Sequence, residues 1–292
     1  MLWDGLIVGG DSLIGRYLAC ASSLAGMSIV ATSRRPGSSM LSFDLERPDF
    51  GVLDGSRFRW AAFCAAITNM RACERAPDLT RNVNVEGTLA LMRRLAEAGT
   101  HLVFLSSAQV FDGETPMPDE SATVGPKNAY GCQKLEVERA LTNEGLPGAV
   151  LRVTKVFGRR PVGVFIEWYE NLRKGVTAVA ATNMTVAPVT GAQVADAVIR
   201  LGSGGERGVW HLSSSDELPY YQAAVLMADI CGLPRDLVLG EDVTEAQVPA
   251  NFRHRYAAID ARKLALAHGV AISSAGQVLT DVFSSFRDTS PA

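Results

Sequence analysis

The first half of this chain predicts a doubly wound α/β domain built on a parallel sheet. Short apolar runs alternate with helical patterns, and a glycine-rich turn joins the first run to the first helix. A change of rhythm after Gly158 predicts a smaller, mixed second region. We place the boundary at residue 160, with residues 1–160 and 161–292 as the two parts. Some later segments are expected to return to the first part.

Leu6-Ile7-Val8 is the first strand, and Leu13 to Leu24 a helix with Leu13, Tyr17, Cys20 and Leu24 on one face. Ser28 to Thr32 is the next strand and Trp60 to Ala66 another, followed by a helix from Thr80 to Ala98. His101 to Leu105 is a strand, Asn128 to Asn143 a helix and Ala149 to Val153 a strand. Strands this apolar must be covered on both faces, which means parallel pairing. Beyond Gly158, Phe165 to Arg173 reads as helix and Val176 to Val189 as extended chain. Ala192 to Leu201 is a helix, Val209 to Leu212 a strand and Tyr220 to Cys231 a helix.

Composition excludes several functions. With 28 Lys and Arg against 31 Asp and Glu, the net charge is −3, so no basic surplus exists to grip nucleic acid or an anionic membrane. No apolar run approaches the ~20 residues of a membrane span. The five cysteines are scattered without a CxxC pair, and no metal-ligand cluster stands out. A reducing cytoplasm is the expectation, since the amino-terminal residues lack the pattern of a secretory signal.

The turn Gly9-Gly10-Asp11-Ser12-Leu13-Ile14-Gly15 stands where the first strand hands over to the first helix. Phosphates bind at such a place because the first helical N–H groups are unpaired and the helix dipole puts partial positive charge there. The spacing is GxxGxxG with Ser12 in the middle position, a fit that by itself is equally a backbone turn. After the second strand, Ser33-Arg34-Arg35 offers guanidinium groups where an acidic residue would bind the ribose hydroxyls of NAD. That favours the 2′-phosphate of NADP(H), with NAD(H) the alternative. Asp44-Leu45 can lie against an adenine, and Ala65-Ala66 are small enough for a dinucleotide to pass.

Tyr130 and Lys134, four residues apart, share one helix face. An ammonium there should lower the phenol's pKa from ~10 and let it exchange a proton with an alcohol or sugar oxygen. Ser107 supplies a hydroxyl at the carboxyl end of the preceding strand, where ligands bind in open α/β sheets. Asn84 stands early in the helix before that strand, placed for a relay water. His211 reads as a half-buried strand histidine, Cys132 as a packed thiol, Trp168 and Tyr169 as core, and Arg253-His254-Arg255 as a solvated run.

Gly9 to Gly15, Ala65-Ala66, Asn84 to Thr88, Ser106-Ser107, Tyr130-x-x-x-Lys134 and Arg152 to Gly158 occur in the order found in extended short-chain dehydrogenases/reductases, which the chain resembles over residues 5 to 160. The segment Leu105 to Gly113, ending Val-Phe-Asp-Gly, resembles the dTDP-4-dehydrorhamnose reductase branch. The resemblance implies a Rossmann-type domain, a carboxyl-terminal nucleotide-sugar domain and a homodimer. It implies a catalytic set of Asn84, Ser107, Tyr130 and Lys134, with Ser107 polarising the substrate oxygen and Lys134 holding the nicotinamide ribose. Gln109 and Lys155 would face the substrate. Ala108 and Gln109 depart from the branch, which places an acidic residue and often a tyrosine there. They also lack the Asp-Glu pair that 4,6-dehydratases need. The expected function is therefore NADP-dependent reduction of a keto group on a nucleotide-activated sugar. The alternatives are an epimerase with tightly held cofactor and a non-catalytic NADP-binding regulatory subunit.

Overall fold

Alternate residues of the central strands point to opposite sides, and both sides are apolar. The computed structural model describes residues 1–35, 40–159 and 163–287, so the expected boundary at residue 160 lies outside them. Among those residues β1 (Leu2–Val8), α1 (Leu13–Leu24), β2 (Ile29–Ser33), β3 (Leu41–Ser42) and β4 (Arg57–Phe63) come first. Three helices follow, α2 (Met70–Arg75), α3 (Pro77–Arg81) and α4 (Thr88–Glu97), then β5 (His101–Ser107), α5 (Ala129–Asn143) and β6 (Gly148–Val153).

Ile7, Ala62, Val103 and Leu151 pack into one core, whereas Leu6, Val8, Ala61, Phe63 and Phe104 enter another on the opposite face. A sheet sealed on both sides has no solvated face, which explains the unbroken apolar runs. Its seven strands are ordered β11-β6-β5-β4-β1-β2-β3, all paired in parallel. The chain moves outward from β1 through β2 to β3, then crosses back to β4 on the other side of β1. That reversal opens a crevice at the carboxyl ends of β1 and β4, the place where ligands bind in such sheets.

After β6 come β7 (Lys155–Phe157), α6 (Val164–Arg173), β8 (Ala178–Ala181), β9 (Thr185–Val186) and β10 (Pro188–Thr190). The chain continues with α7 (Gly191–Gly204), β11 (Gly208–Leu212), β12 (Leu218–Pro219), α8 (Tyr220–Cys231), β13 (Val238–Glu241), α9 (Arg262–His268) and α10 (Ala275–Arg287). Helix α7 lies against α1, and β11 pairs with β6 as the outer strand of the main sheet. The other strands form small two-stranded pairs, β10 with β7, β12 with β9 and β13 with β8.

Helices α1 and α8 match the expected spans, but two expectations need correction. The single helix expected over Thr80 to Ala98 is broken: residues Asn82–Gly87 form a π-helical turn between α3 and α4. The extended run expected from Val176 to Val189 is three short strands, because Thr182-Asn183-Met184 turns the chain between β8 and β9.

The second core centres on Phe165, fully buried, with ring centroids of Phe157, Trp168, Tyr220 and Phe283 between 5.2 and 5.9 Å away. Phe165→Ala should cost about 3–5 kcal/mol, the range for removing a buried aromatic ring. Urea unfolding followed by circular dichroism should show a lower midpoint; an unchanged midpoint would mean that this cluster is not a load on stability.

Candidate active site

The crevice is built first by the turn after β1. Gly9 has φ +86°, and a Cβ there would sit 2.7 Å from Ala65; a Cβ on Gly15 would sit 2.2 Å from the Gly9 carbonyl. Both glycines are thus required by the protein's own close packing. Ser12 takes an ordinary extended conformation and caps α1, its hydroxyl accepting from the Gly15 N–H at 3.0 Å. The next N–H groups, of Leu13 and Ile14, start the helix and have no intrahelical partner.

Two cavities meet at Ser12 and Ala66. The smaller, about 160 Å³, is walled by Gly9, Ser33, Arg34, Arg35, Asp44, Leu45 and Ala65 among others. Arg34 and Arg35 are exposed, and Arg35 is drawn to Asp11 at 3.1 Å. The larger, about 500 Å³, is reached past Leu13 and Ile14 and is walled by Ser107, Gln109, Tyr130, Lys134 and Lys155. The expected cofactor and substrate residues line one of two adjoining cavities, except Gly15, which lines neither because it packs under the Gly9 carbonyl with its N–H bonded to Ser12.

Tyr130 stands in the first turn of α5. Asn128 caps that helix by accepting from Gly131 N–H at 2.9 Å. Gly131 lets the helix close onto the turn after β5, since a Cβ there would be 2.2 Å from the Gln109 carbonyl. This close approach sets the Tyr130 phenol beside the Ser107 hydroxyl on the wall of the larger cavity. Lys134, one turn on and 4% exposed, donates from Nζ to the Leu105 carbonyl at 2.8 Å. Its Nζ lies 4.6 Å from the Phe104 ring centre and 5.7 Å from that of Tyr130.

Burial governs the electrostatics here. It pushes the Tyr130 phenol above its ordinary value, with Ser107 opposing weakly, so the expected lowering by Lys134 is not what this structure has. The lysine itself is pushed down to about 8 by burial, with Glu138 pulling the other way. The Cys64 thiol, on the same wall, is pushed up to about 12 by burial and is inert as a nucleophile. Lys155 is exposed at its surface, yet protein crowded around its ammonium lowers its pKa by desolvation.

Asn84 lines neither cavity. Its Oδ1 accepts from Ile67 N–H at 2.8 Å, and its Nδ2 donates to the Ile67 carbonyl at 3.0 Å and to Gln133 Oε1 at 2.8 Å. It braces the loop after β4 against α5, with its donors and its oxygen engaged. Other expectations change too. His211 is fully buried instead of half-buried, and Cys132 is exposed because its side of α5 faces out. His254 is buried and lines the larger cavity with Met184, Thr185, Tyr220 and Phe252. Sequence reasoning missed these wall residues, which come from segments distant in the chain. Among the described residues no cluster fit for a metal ion occurs, and no helix is long and apolar enough to cross a membrane.

Residues 5–287 match the family model described as RmlD substrate binding domain. The chain belongs to this family. A curated relative, methionine adenosyltransferase 2 subunit beta of Pongo abelii, is 27% identical over 220 residues, 69% of this chain. The chain spans 62% of the length of that relative. A probable low-salt glycan biosynthesis reductase of Haloferax volcanii is 25% identical over 258 residues, 80% of this chain and 86% of its own length. A solved dTDP-4-dehydrorhamnose reductase of Bacillus anthracis, in complex with NADP, superposes with a TM-score of 0.83. It is 20% identical and covers 97% of this chain and 99% of its own, a likeness of fold.

The lysine gives this family member a testable pH signature. In the unfolded chain it titrates near ~10.4 and in the folded chain near 8. Below pH 8 both states are charged and burying the charge costs stability. Between those values the unfolded state alone holds the proton, so that cost disappears as pH rises. Lys134→Met should therefore be more stable than wild type at pH 7 by roughly 2–3 kcal/mol, the scale of such a shift. The gap should narrow toward pH 10; urea titrations at each pH would check this, and a constant gap would refute it.

Proposed function

We propose that this protein is a nicotinamide-dependent reductase acting on the keto group of a nucleotide-activated sugar. One observation carries the reading: Ser107, Tyr130 and Lys134 converge on the wall of the larger cavity, which continues past the start of α1 into the cavity walled by Arg34 and Arg35. The elongated two-part space suits a dinucleotide, and the unpaired N–H groups at the start of α1 suit its diphosphate. A nicotinamide bound there supplies the hydride.

The chain's own residues would do the rest. A phenol whose pKa is raised stays protonated at neutral pH, which is the form that a carbonyl oxygen needs as it gains negative charge. Ser107, on the same wall as that phenol, would offer a hydroxyl to the same oxygen and share the developing charge. Lys134 places a cation behind the phenol and eases its ionisation as the proton leaves. Lys155 offers a charge for a diphosphate, consistent with a nucleotide-activated substrate. The exposed Arg34 and Arg35 favour NADP(H) over NAD(H).

A second reading rests on the curated relatives named as a subunit of methionine adenosyltransferase. By analogy this chain would be a dinucleotide-binding partner of another enzyme and not a catalyst. Ala108 and Gln109, standing where reductases of the branch place other groups, allow that reading. The intact Tyr130 and Lys134 favour the enzyme.

Purified protein with NADPH and a 4-keto nucleotide sugar should consume NADPH stoichiometrically, whereas an epimerase would not. Tyr130→Phe should slow that turnover by roughly two to four orders of magnitude, the scale of losing one positioned proton donor, with NADPH binding kept. Undiminished turnover would remove Tyr130 from its role. Arg34→Ala should weaken NADPH at least about tenfold more than NADH, as for loss of a charge-assisted phosphate bond. Calorimetry measures both, and equal losses would refute the 2′-phosphate assignment.

A further inference from the structure

Glu138 and Arg152, each 4% exposed, form an ion pair that the proposed chemistry does not use. Burying such a pair is unfavourable unless further hydrogen bonds satisfy both groups. Here they do. Arg152 binds Glu138 through Nε at 3.1 Å and through Nη2 at 2.7 Å, and Ser106 Oγ donates to the same carboxylate. Arg152 Nη1 then meets His211 Nε2 at 3.4 Å, while His211 Nδ1 lies 3.2 Å from the Asp260 carbonyl.

The sheet register explains how these groups converge. Ser106 on β5 stands beside Arg152 on β6, which stands beside His211 on β11. Burial and the neighbouring guanidinium lower the histidine to about 3, so it is neutral at physiological pH. Its Nε2 then accepts from Arg152 and its Nδ1–H donates to Asp260. The Phe111 ring covers the assembly, 5.1 Å from the guanidinium carbon and edge-on to His211.

The assembly leads back to the cleft. Lys134 and Glu138 are one helical turn apart on α5, so their side chains lie on one face. Consecutive residues at the end of β5 hold both: the Leu105 carbonyl accepts from Lys134 Nζ, and the Ser106 hydroxyl bonds Glu138. We infer that Glu138, held by Arg152 and Ser106 with the neutral His211 behind the arginine, is a positioning residue that stabilises the Lys134 ammonium from one helical turn away. This inference rests on the reading that Lys134 works in the cleft. The other titratable groups acting on the lysine are Cys64 after β4 and Cys73 on α2, with Tyr130 on α5 beside it. Among those acting on it, Glu138 is the strongest opponent of burial. The same chain of contacts reaches Asp260, so the loop before α9 is mechanically tied to the lysine's anchor.

The test needs no substrate. The chain has five lysines, few enough for resolved resonances when lysine is 13C-labelled at Cε. Lys134→Arg identifies the Lys134 signal. Its midpoint, near 8 in the wild-type protein, should fall by about one unit in Glu138→Gln, the scale of losing one nearby charge. The Lys155 midpoint should stay in place, and Glu138→Asp should restore Lys134 most of the way. A Lys134 midpoint unchanged in folded Glu138→Gln would overturn the assignment. Should that variant unfold because Arg152 is left unpaired, Glu138→Gln/Arg152→Gln removes both charges. The same fall is then expected, and no fall overturns the assignment. An inactive wild-type protein that shows the shift would sink the reductase reading and leave the positioning role; an active one without it would do the reverse.

Discussion

A lysine ammonium buried beside a phenol is the constraint on which this cleft depends. Taking that charge out of water is costly, and the chain meets the cost with a carbonyl, an aromatic face and a carboxylate one turn away. The carboxylate in turn requires an arginine and a serine, and the arginine leans on a neutral histidine. One buried charge thereby recruits the ends of β5, β6 and β11 and the loop before α9. Residues far apart in the chain are bound into one polar layer beneath the crevice.

That layer spans β5, β6 and β11, on the β4 side of the place where strand order reverses. The reversal splits the loops after β1 and β4, Gly9 packs on Ala65 across the gap, and α1 starts there with unpaired N–H groups. The helix opposite, α5, is pressed inward at Gly131 and delivers Tyr130 to Ser107. Backbone approach sets the position of the phenol, and burial sets its protonation. Both fit proton donation to a carbonyl, which is why the reductase reading follows from the geometry more directly than from the turn, whose glycines the packing alone demands.

Much of this was legible in the sequence where the signal is local. The span of helix α1 follows from its periodicity, but not its buried face, which is Gly15, Leu18 and Ser22, while Cys20 and Leu24 of the expected face are exposed; the parallel sheet follows from runs apolar on both sides. Tyr130 and Lys134 share a face by spacing alone. Other features depend on contacts between distant segments. The π-helical turn at Asn82–Gly87 keeps the same apolar residues as an α-helix, so periodicity does not mark it. Asn84 looked like a residue of the cleft, but only the fold shows that Ile67 and Gln133 occupy its amide. His211 and Arg152 become partners through register across two strands, and His254 joins the wall through a loop more than a hundred residues from Tyr130. The direction of the Tyr130 shift also needed the fold, because it turns on the depth of burial and not on which charge stands four residues away.

The central claim is that hydride and proton meet at one sugar carbon in this cleft, and isotope transfer tests it most directly. The protein would be incubated with NADPH deuterated at the transferable position of the nicotinamide and with a 4-keto nucleotide sugar, and the sugar examined by mass spectrometry and NMR. The account predicts one deuterium on the carbon that carried the keto group. Protein that binds NADPH yet leaves the sugar unlabelled would contradict it.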